Sequence, residues 1–221
     1  MTGGSRGIGR AIASALLSNG INVTIAGVKP EHLRDAQKRL ATVAANGAAV
    51  HTVVADVRDE VAVGSLVDET ANRFGGLDIL INNAGVGAFA HVAVQTHEEW
   101  RRIIDINLTG AFNCCHAALP HLRRRGGGWI ISISSLAGKN PFPGGAAYCA
   151  SKAALNAFSE ALMQEVRYDG IRVSCVLPGS VDTEFASAGS GDSSWKLRPE
   201  DVAQVVVDLI EHDRRSLPSR V

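Results

Sequence analysis

The chain has 221 residues, 46% hydrophobic and 20% charged, and its 22 basic and 22 acidic side chains leave a formal net charge of zero. That length allows one α/β domain over residues 1–221 with a substantial core, and the charge balance lacks the basic surplus of a nucleic-acid binder. No stretch approaches the ~18 uninterrupted apolar residues of a membrane span, and no basic segment leads into an apolar run at the N-terminus, so no membrane or secretory signal is expected.

Residues 2–9 read TGGSRGIG, and a helical pattern (Ile8, Ile12, Ala15, Leu16) follows to Asn19-Gly20. Residues 21–26 (INVTIA) predict a strand, and Pro30 opens a charged helix at a position where its missing N–H costs nothing. A strand over 48–55, a helix over 58–74 and a strand over 77–82 (LDILIN) come next. Two helices are expected near 96–105 and 108–124, then a strand over 129–134 (WIISIS), a long helix over 147–168 and a strand over 171–176 (IRVSCV). Residues 186–194 (ASAGSGDSS) are small and polar, suited to a flexible loop beyond a strand end, where a substrate lid would sit. A helix over 199–212 and a last strand over 217–221 complete the pattern. Short strands apolar on both faces and separated by helices predict a parallel, doubly wound sheet, Rossmann-like, with helices on both faces.

Several features read as ordinary packing or solvation. The run Arg123-Arg124-Arg125 suits a solvated helix C-terminus, where cations oppose the helix dipole. Cys114, Cys115, Cys149 and Cys175 have no C-x-x-C spacing, and free cysteines in apolar segments suit a reducing, cytoplasmic compartment. His91, His97, His116, His121 and His212 form no ligand spacing with carboxylates or thiols, so no metal is expected. Trp100 and Trp129 read as core or interface residues, whereas Trp195 reads equally as packing or as a substrate contact.

Gly3, Gly7 and Gly9 make a tight turn ahead of a helix N-terminus, where backbone N–H groups and the positive end of the dipole meet a pyrophosphate. In such folds an acid at the end of the second strand binds the ribose 2′-hydroxyl, while a cation accommodates a 2′-phosphate. Here that place is Gly27, with Arg6 and Lys29 in reach and no carboxylate before Glu31, which favours NADP(H) over NAD(H). Tyr148 and Lys152 are four apart and share a helix face. An ammonium beside a phenol lowers its pKa, and a phenol so tuned can exchange a proton with a carbonyl oxygen as hydride moves. Ser135 stands just beyond the strand over 129–134, where its hydroxyl can hold the same oxygen. A lone Y-x-x-x-K spacing is usually a solvated pair; here it follows a strand–Ser segment in a chain that opens with a phosphate turn.

Taken together, TGGSRGIG (2–9), Asp56-Val57, NNAG (82–85), Asn107 in INLTGAF, Ser135 in SISSLAG, YCASK (148–152) and PGSVDT (178–183) resemble the short-chain dehydrogenase/reductase family in order and spacing over nearly the whole chain. The nearest likeness is to 3-oxoacyl-[acyl-carrier-protein] reductases. The resemblance implies that Tyr148 is the general acid/base, that Lys152 lowers its pKa and binds the nicotinamide ribose, that Ser135 orients the carbonyl, and that Asn107 holds a water in a proton relay. It implies that Gly3, Ser5, Arg6, Gly7, Ile8 and Gly9 line the phosphates and adenosine ribose, and that Asp56 and Val57 flank the adenine. Asn83, Ala84 and Gly85 would line the cofactor cleft, and Pro178, Gly179, Val181 and Thr183 would close over the nicotinamide. The substrate would be a small carbonyl compound or an acyl thioester, and the assembly a homodimer or homotetramer through the helices over 108–124 and 147–168. An NAD-dependent sugar or steroid dehydrogenase of the same family, and a cofactor-binding protein without turnover, are the alternative readings.

Two departures from the family pattern stand out. The apolar strand that precedes the TGG turn is missing from the sequence, and residues upstream of Met1 are expected to supply it; without it, backbone groups and apolar surface at the sheet centre would lack partners. The sequence also stops at LPSRV, short of the longer glycine-rich tail of acyl-carrier-protein reductases, which leaves the substrate side and subunit contacts less defined.

Overall fold

The computed structural model describes residues 1–186, 194–213 and 215–221. Seven α-helices and five strands are among them: α1 (Gly7–Ser18), β1 (Val23–Gly27), α2 (Pro30–Ala41), β2 (Val50–Val54), α3 (Glu60–Phe74), β3 (Ile79–Asn82), α4 (His97–Ile104), α5 (Gly110–Arg124), β4 (Gly128–Ile133), α6 (Ala146–Val166), β5 (Ile171–Val176) and α7 (Pro199–Glu211). All strand pairs are parallel: β1 with β2, and β3 with β4 with β5. The two sets meet at the start of the chain. Thr2 bridges to Ala26 of β1, Met1 O accepts from Ala26 N (2.9 Å), and Thr2 N donates to Ile81 O of β3 (3.1 Å). Met1 and Thr2 therefore run between β1 and β3.

Alternation along the strands divides the core in two. On β4, Trp129, Ile131 and Ile133 pack with α1, α2 and α7, while Ile130 joins Leu80, Val173, Cys114 and Leu122 under α3, α5 and α6. Helices thus cover both faces, and near-continuous apolar strands follow from burial on both sides. The four cysteines are free and buried, with the Cys114 and Cys115 thiols pushed up by burial to about 11 and about 12.

Two expectations change in detail. The helices near 96–105 and 108–124 are one helical run, because α4 passes into α5 through a π-helical segment, Asp105–Thr109. Helical periodicity survives such an insertion, so the sequence gives no sign of the wider turn. The last strand, 217–221, is a single bridge, Cys175 to Arg220, although Leu177 N still donates to Val221 O (2.7 Å) beside β5. Most of the lid, 187–193, lies outside the described residues.

The basic run at the end of α5 is solvated as expected, and each arginine also has a side-chain partner. Arg123 bonds Asp169 (2.7 Å), Arg125 bonds Asp78 (2.8 Å), and Arg124 bonds the His121 ring (2.8 Å). Trp129 is buried with Arg172 stacked 4.0 Å from its centroid, while Trp100 and Trp195 are exposed. No helix among the described residues is long and apolar enough to cross a membrane.

At the π segment's exit, a Cβ on Gly110 would fall 2.5 Å from Cγ2 and 2.9 Å from Cβ of buried Val57. Gly110→Ala gains about 1 kcal/mol of helix propensity and loses about 1–3 kcal/mol to overpacking against a stiff β-branched neighbour. We expect a net loss of about 1 kcal/mol, seen as a lower urea midpoint at unchanged slope.

Candidate active site

Three elements deliver the candidate side chains to one place. β4 ends at Ile133, and Ser135 caps the short turn Leu136–Gly138, its Oγ accepting from Ala137 N (3.1 Å). With the oxygen so held, the hydroxyl proton is free to point away from the turn. The turn presses on α6 at Lys152: a Cβ on Gly138 would lie 2.8 Å from the Lys152 carbonyl carbon and 2.7 Å from Asn156 Nδ2. Glycine at 138 therefore sets how close the Ser135 segment comes to the helix carrying Tyr148 and Lys152.

Lys152 is buried, and its Nζ donates to Ile133 O at the end of β4 (2.8 Å). Burial pushes its pKa down to about 8, with Cys175 opposing. The Tyr148 phenol is pushed up from its ordinary value by burial, while the Ser135 hydroxyl acts in the other direction. The sequence reading had the lysine lowering the tyrosine. In the chain by itself desolvation wins, because Lys152 Nζ stands 5.9 Å from the Tyr148 ring centroid and is bonded to a backbone carbonyl.

Asn107 comes from the π segment and is 1% exposed. Its Oδ1 accepts from Val86 N (2.8 Å), and its Nδ2 donates to Val86 O (2.9 Å) and Ser151 Oγ (3.0 Å). The amide thus pairs with Val86 as a strand would, and both its N–H donors are used. Ser151 in turn donates to Tyr148 O (2.7 Å), linking the π segment to the catalytic helix. Gly85 lies where these groups converge: a Cβ there would be 3.4 Å from Asn107 Oδ1 and 3.7 Å from Lys152 Nζ.

The glycine turn has the shape of a phosphate cradle. Gly3 and Gly7 have φ of +64° and +52°, in the left-handed region that glycine occupies without penalty. Arg6 stands at the N-cap of α1 in extended conformation, with no side-chain cap and no acid in the first turn, so the helix's leading N–H groups face outward uncapped. Gly9 has a packing role: a Cβ there would lie 2.3 Å from Gly3 O. Asn83 clamps the turn, its Nδ2 donating to Thr2 O (3.1 Å) and Gly3 O (3.0 Å). Thr2 Oγ1 accepts from both Asn83 N and Ala84 N (3.1 Å each).

The remaining expected residues fall into place around this frame. Gly27 lies near Ser5, a Cβ on it being 3.8 Å from Ser5 Oγ, and Lys29 is the exposed N-cap of α2. Arg6 pairs with Glu184 (3.5 Å). Asp56 is held well below its usual range by its hydrogen bonds to Arg58 (2.6 and 3.0 Å), and Val57 turns its side chain into the core. Pro178 O accepts from Leu136 N (3.0 Å), joining the loop after β5 to the Ser135 turn. Val181 bridges to Leu197, and Thr183 stands 3.4 Å from where a Cβ on Gly7 would be. Ile8 is half-buried beside the α1 core. A cleft of about 420 Å³ shares Arg6, Gly7 and Thr183 with this set and adds Arg10 and Arg39; Asn107, Ser135, Tyr148 and Lys152 do not line it.

The sequence reading did not single out Thr2, Ser151, Gly138 or Asn113, whose Nδ2 donates to Val57 O (2.9 Å). Thr2, Ser151 and Gly138 stood inside or beside the quoted motifs, and Asn113 is a polar residue on a helix that is otherwise core-facing at Cys114 and Cys115.

Comparison with known proteins agrees with this geometry. A family model described as short chain dehydrogenase matches residues 1–192. An uncharacterized oxidoreductase of Staphylococcus saprophyticus is 34% identical over 215 residues, covering 96% of this chain and 89% of the relative. A 3-oxoacyl-[acyl-carrier-protein] reductase of Chlamydia muridarum is 36% identical, covering 100% and 92%. Among solved structures, an alcohol dehydrogenase from the archaeon Thermococcus sibiricus complexed with 5-hydroxy-NADP superposes with a TM-score of 0.91 at 28% identity, covering 100% and 93%. A metagenomic short-chain oxidoreductase in complex with NADP gives 0.86 at 34% identity, covering 100% and 92%.

The buried ammonium makes a stability prediction. Below about pH 8 Lys152 is charged in both folded and unfolded chains, so folding carries the full cost of its burial. Between about pH 8 and 10.5 the unfolded chain binds more protons, and this cost fades as pH rises. Lys152→Met keeps the apolar stem and removes the charge, at the loss of one hydrogen bond of about 1 kcal/mol. We expect the variant to be more stable than the parent by about 1–2 kcal/mol at pH 7, with the gap narrowing at pH 9.5. Urea unfolding of both proteins at the two pH values checks it; a less stable variant at pH 7, or a gap that ignores pH, contradicts the assignment.

Proposed function

The chain belongs to the short-chain dehydrogenase family, and from that premise we propose that it is an NADP(H)-dependent oxidoreductase interconverting a carbonyl compound and its secondary alcohol. The observation that carries this reading is the convergence of Ser135, Tyr148 and buried Lys152 around the end of β4. The likeness to the Chlamydia muridarum 3-oxoacyl-[acyl-carrier-protein] reductase puts 3-oxoacyl thioesters among the carbonyls to be tried.

The residues suit a dinucleotide on their own geometry. The uncapped N-terminus of α1 and the left-handed glycines fit a pyrophosphate. At the end of β1, Gly27 offers no carboxylate to a 2′-hydroxyl, while Ser5, Arg6 and Lys29 offer donors and positive charge to a 2′-phosphate. An ammonium has three N–H donors; Ile133 O takes one from Lys152 and the others are suited to ribose hydroxyls.

When bound, the nicotinamide supplies or accepts hydride at the carbonyl carbon. The Ser135 hydroxyl donates to the carbonyl oxygen and fixes its direction. Tyr148, whose phenol is pushed up from its ordinary value by burial, gives its proton to that oxygen as the alcohol forms. Lys152, still largely charged at pH 7, stabilises the phenolate left behind, and Asn107, whose amide N–H donors are both engaged, would hold the relay water through an oxygen acceptor. We read the whole of residues 1–221 as one domain, assembled as a homodimer or homotetramer through α5 and α6, where Phe112 is exposed and packs on Phe158. Four free, buried thiols suit a reducing compartment, and we propose the cytoplasm.

Following NADPH oxidation with a carbonyl panel, Tyr148→Phe is expected to lower kcat by about 10²–10⁴-fold with NADPH affinity within about twofold; unchanged turnover overturns the mechanism. Gly27→Asp adds a carboxylate where the backbone accepts a side chain, and is expected to weaken NADPH binding by about tenfold or more and to favour NADH. Equal loss of both cofactors in a fluorescence titration would remove the basis for the NADP(H) assignment.

A further inference from the structure

The entrance to the site is walled by phenylalanine. Phe89 stands 5.8 Å from the Tyr148 ring, edge to face, and 5.7 Å from Phe142. Phe185 is also 5.8 Å from Tyr148. Each of these three rings is only partly covered, at 49%, 43% and 44% exposure for Phe89, Phe142 and Phe185, so apolar surface surrounds the group that exchanges the proton.

The wall is built into the fold. A Cβ on Gly87 would lie 3.0 Å from Phe185 Cε1 and 3.2 Å from Phe89 Cζ, and a Cβ on Gly145 would lie 2.6 Å from Phe142 Cε2. Three rings therefore rest on positions without side chains. Ala90 N donates to Gly144 O (2.9 Å), which ties the loop carrying Phe89 to the loop carrying Phe142. The flanking residues are apolar, Gly87-Ala88-Phe89-Ala90 and Pro141-Phe142-Pro143. Leu136, next to Ser135, is exposed on the same turn. Glu184, beside Phe185, is paired with Arg6, and the cation near Tyr148, Lys152, is buried.

We propose that Phe89, Phe142 and Phe185 bind the substituent carried directly on the reacting carbonyl, and that this substituent is an uncharged ring, aryl or cycloalkyl. The inference rests on the oxidoreductase reading above and names its substrate class. Two of the rings touch Tyr148 itself, so they select the group next to the carbonyl rather than a distant tail. A rigid ring presents a face or an edge to each phenylalanine at the separations aromatic pairs favour. A linear acyl chain would have to freeze several torsions to cover the same surface. A charged substituent would lose part of its hydration against the apolar faces of these rings.

The test compares kcat/KM for acetophenone and cyclohexyl methyl ketone with that for 2-butanone and acetoacetyl-coenzyme A, using the full chain and NADPH. We expect the ring ketones to exceed 2-butanone by about tenfold or more, and Phe89→Ala or Phe185→Ala to cut that ratio by about tenfold. Tyr168→Ala, at a site 84% exposed beyond α6, should leave it unchanged. A second readout needs no turnover: calorimetric binding of acetophenone to Tyr148→Phe saturated with NADPH should weaken by about tenfold on adding Phe89→Ala. Equal kcat/KM for ring and linear ketones, a ratio the variants do not move, or preference for the thioester would overturn the proposal. If no carbonyl is reduced but acetophenone still binds and Phe89→Ala weakens it, the oxidoreductase reading fails while the ring site stands.

Discussion

The buried ammonium of Lys152 is the constraint around which the site is arranged. A charge in the interior is tolerated only with a partner, and the partner here is the carbonyl of Ile133 at the end of β4. That bond fixes the register between α6 and the strand, and so places Tyr148, one helical turn before Lys152. Gly138 lets the Ser135 turn settle on the same stretch of α6. Strand, turn and helix are thus held together at the place where charge is most costly. The site's cost to stability has its origin in the same buried charge.

Much of this was legible in the sequence because it is periodic or compositional. Alternating apolar strands and amphipathic helices gave the doubly wound parallel fold, and TGGSRGIG, Ser135 and the Tyr148–Lys152 spacing marked the site. What escaped was set by three-dimensional proximity. The π segment at Asp105–Thr109 leaves no compositional trace, yet it presents Asn107 to Val86 and Ser151. Thr2 reads as the first letter of a glycine motif, while its hydroxyl accepts two backbone N–H groups from the Asn83 segment. The sign of the Tyr148 shift was also out of reach, because it depends on how desolvation compares with a charge whose distance the spacing does not fix.

The glycines of the motifs serve two ends that the sequence alone does not separate. Gly3 and Gly7 bend the chain through the left-handed conformation that the turn requires. Gly9 and Gly138 instead allow one piece of backbone to lie against another, with no room for even a methyl group. Conserving the turn's outline therefore protects internal contacts as much as ligand contacts. Asn83 shows the same division, since its amide is spent on Thr2 and Gly3 carbonyls inside the turn.

The raised Tyr148 phenol and the phenylalanine wall are two consequences of one environment. Excluding water around Tyr148 disfavours the phenolate and so raises its pKa. The same exclusion strengthens every dipole and charge aimed at the carbonyl oxygen, because the local dielectric falls. A substituent seated against Phe89 and Phe185 would complete that exclusion from the solvent side, where both rings are still half exposed. Binding would then act on the proton as well as on orientation. With water shut out, the contest over the phenolate lies between desolvation and the charge of Lys152, and a nearby ammonium counts for more in a drier site.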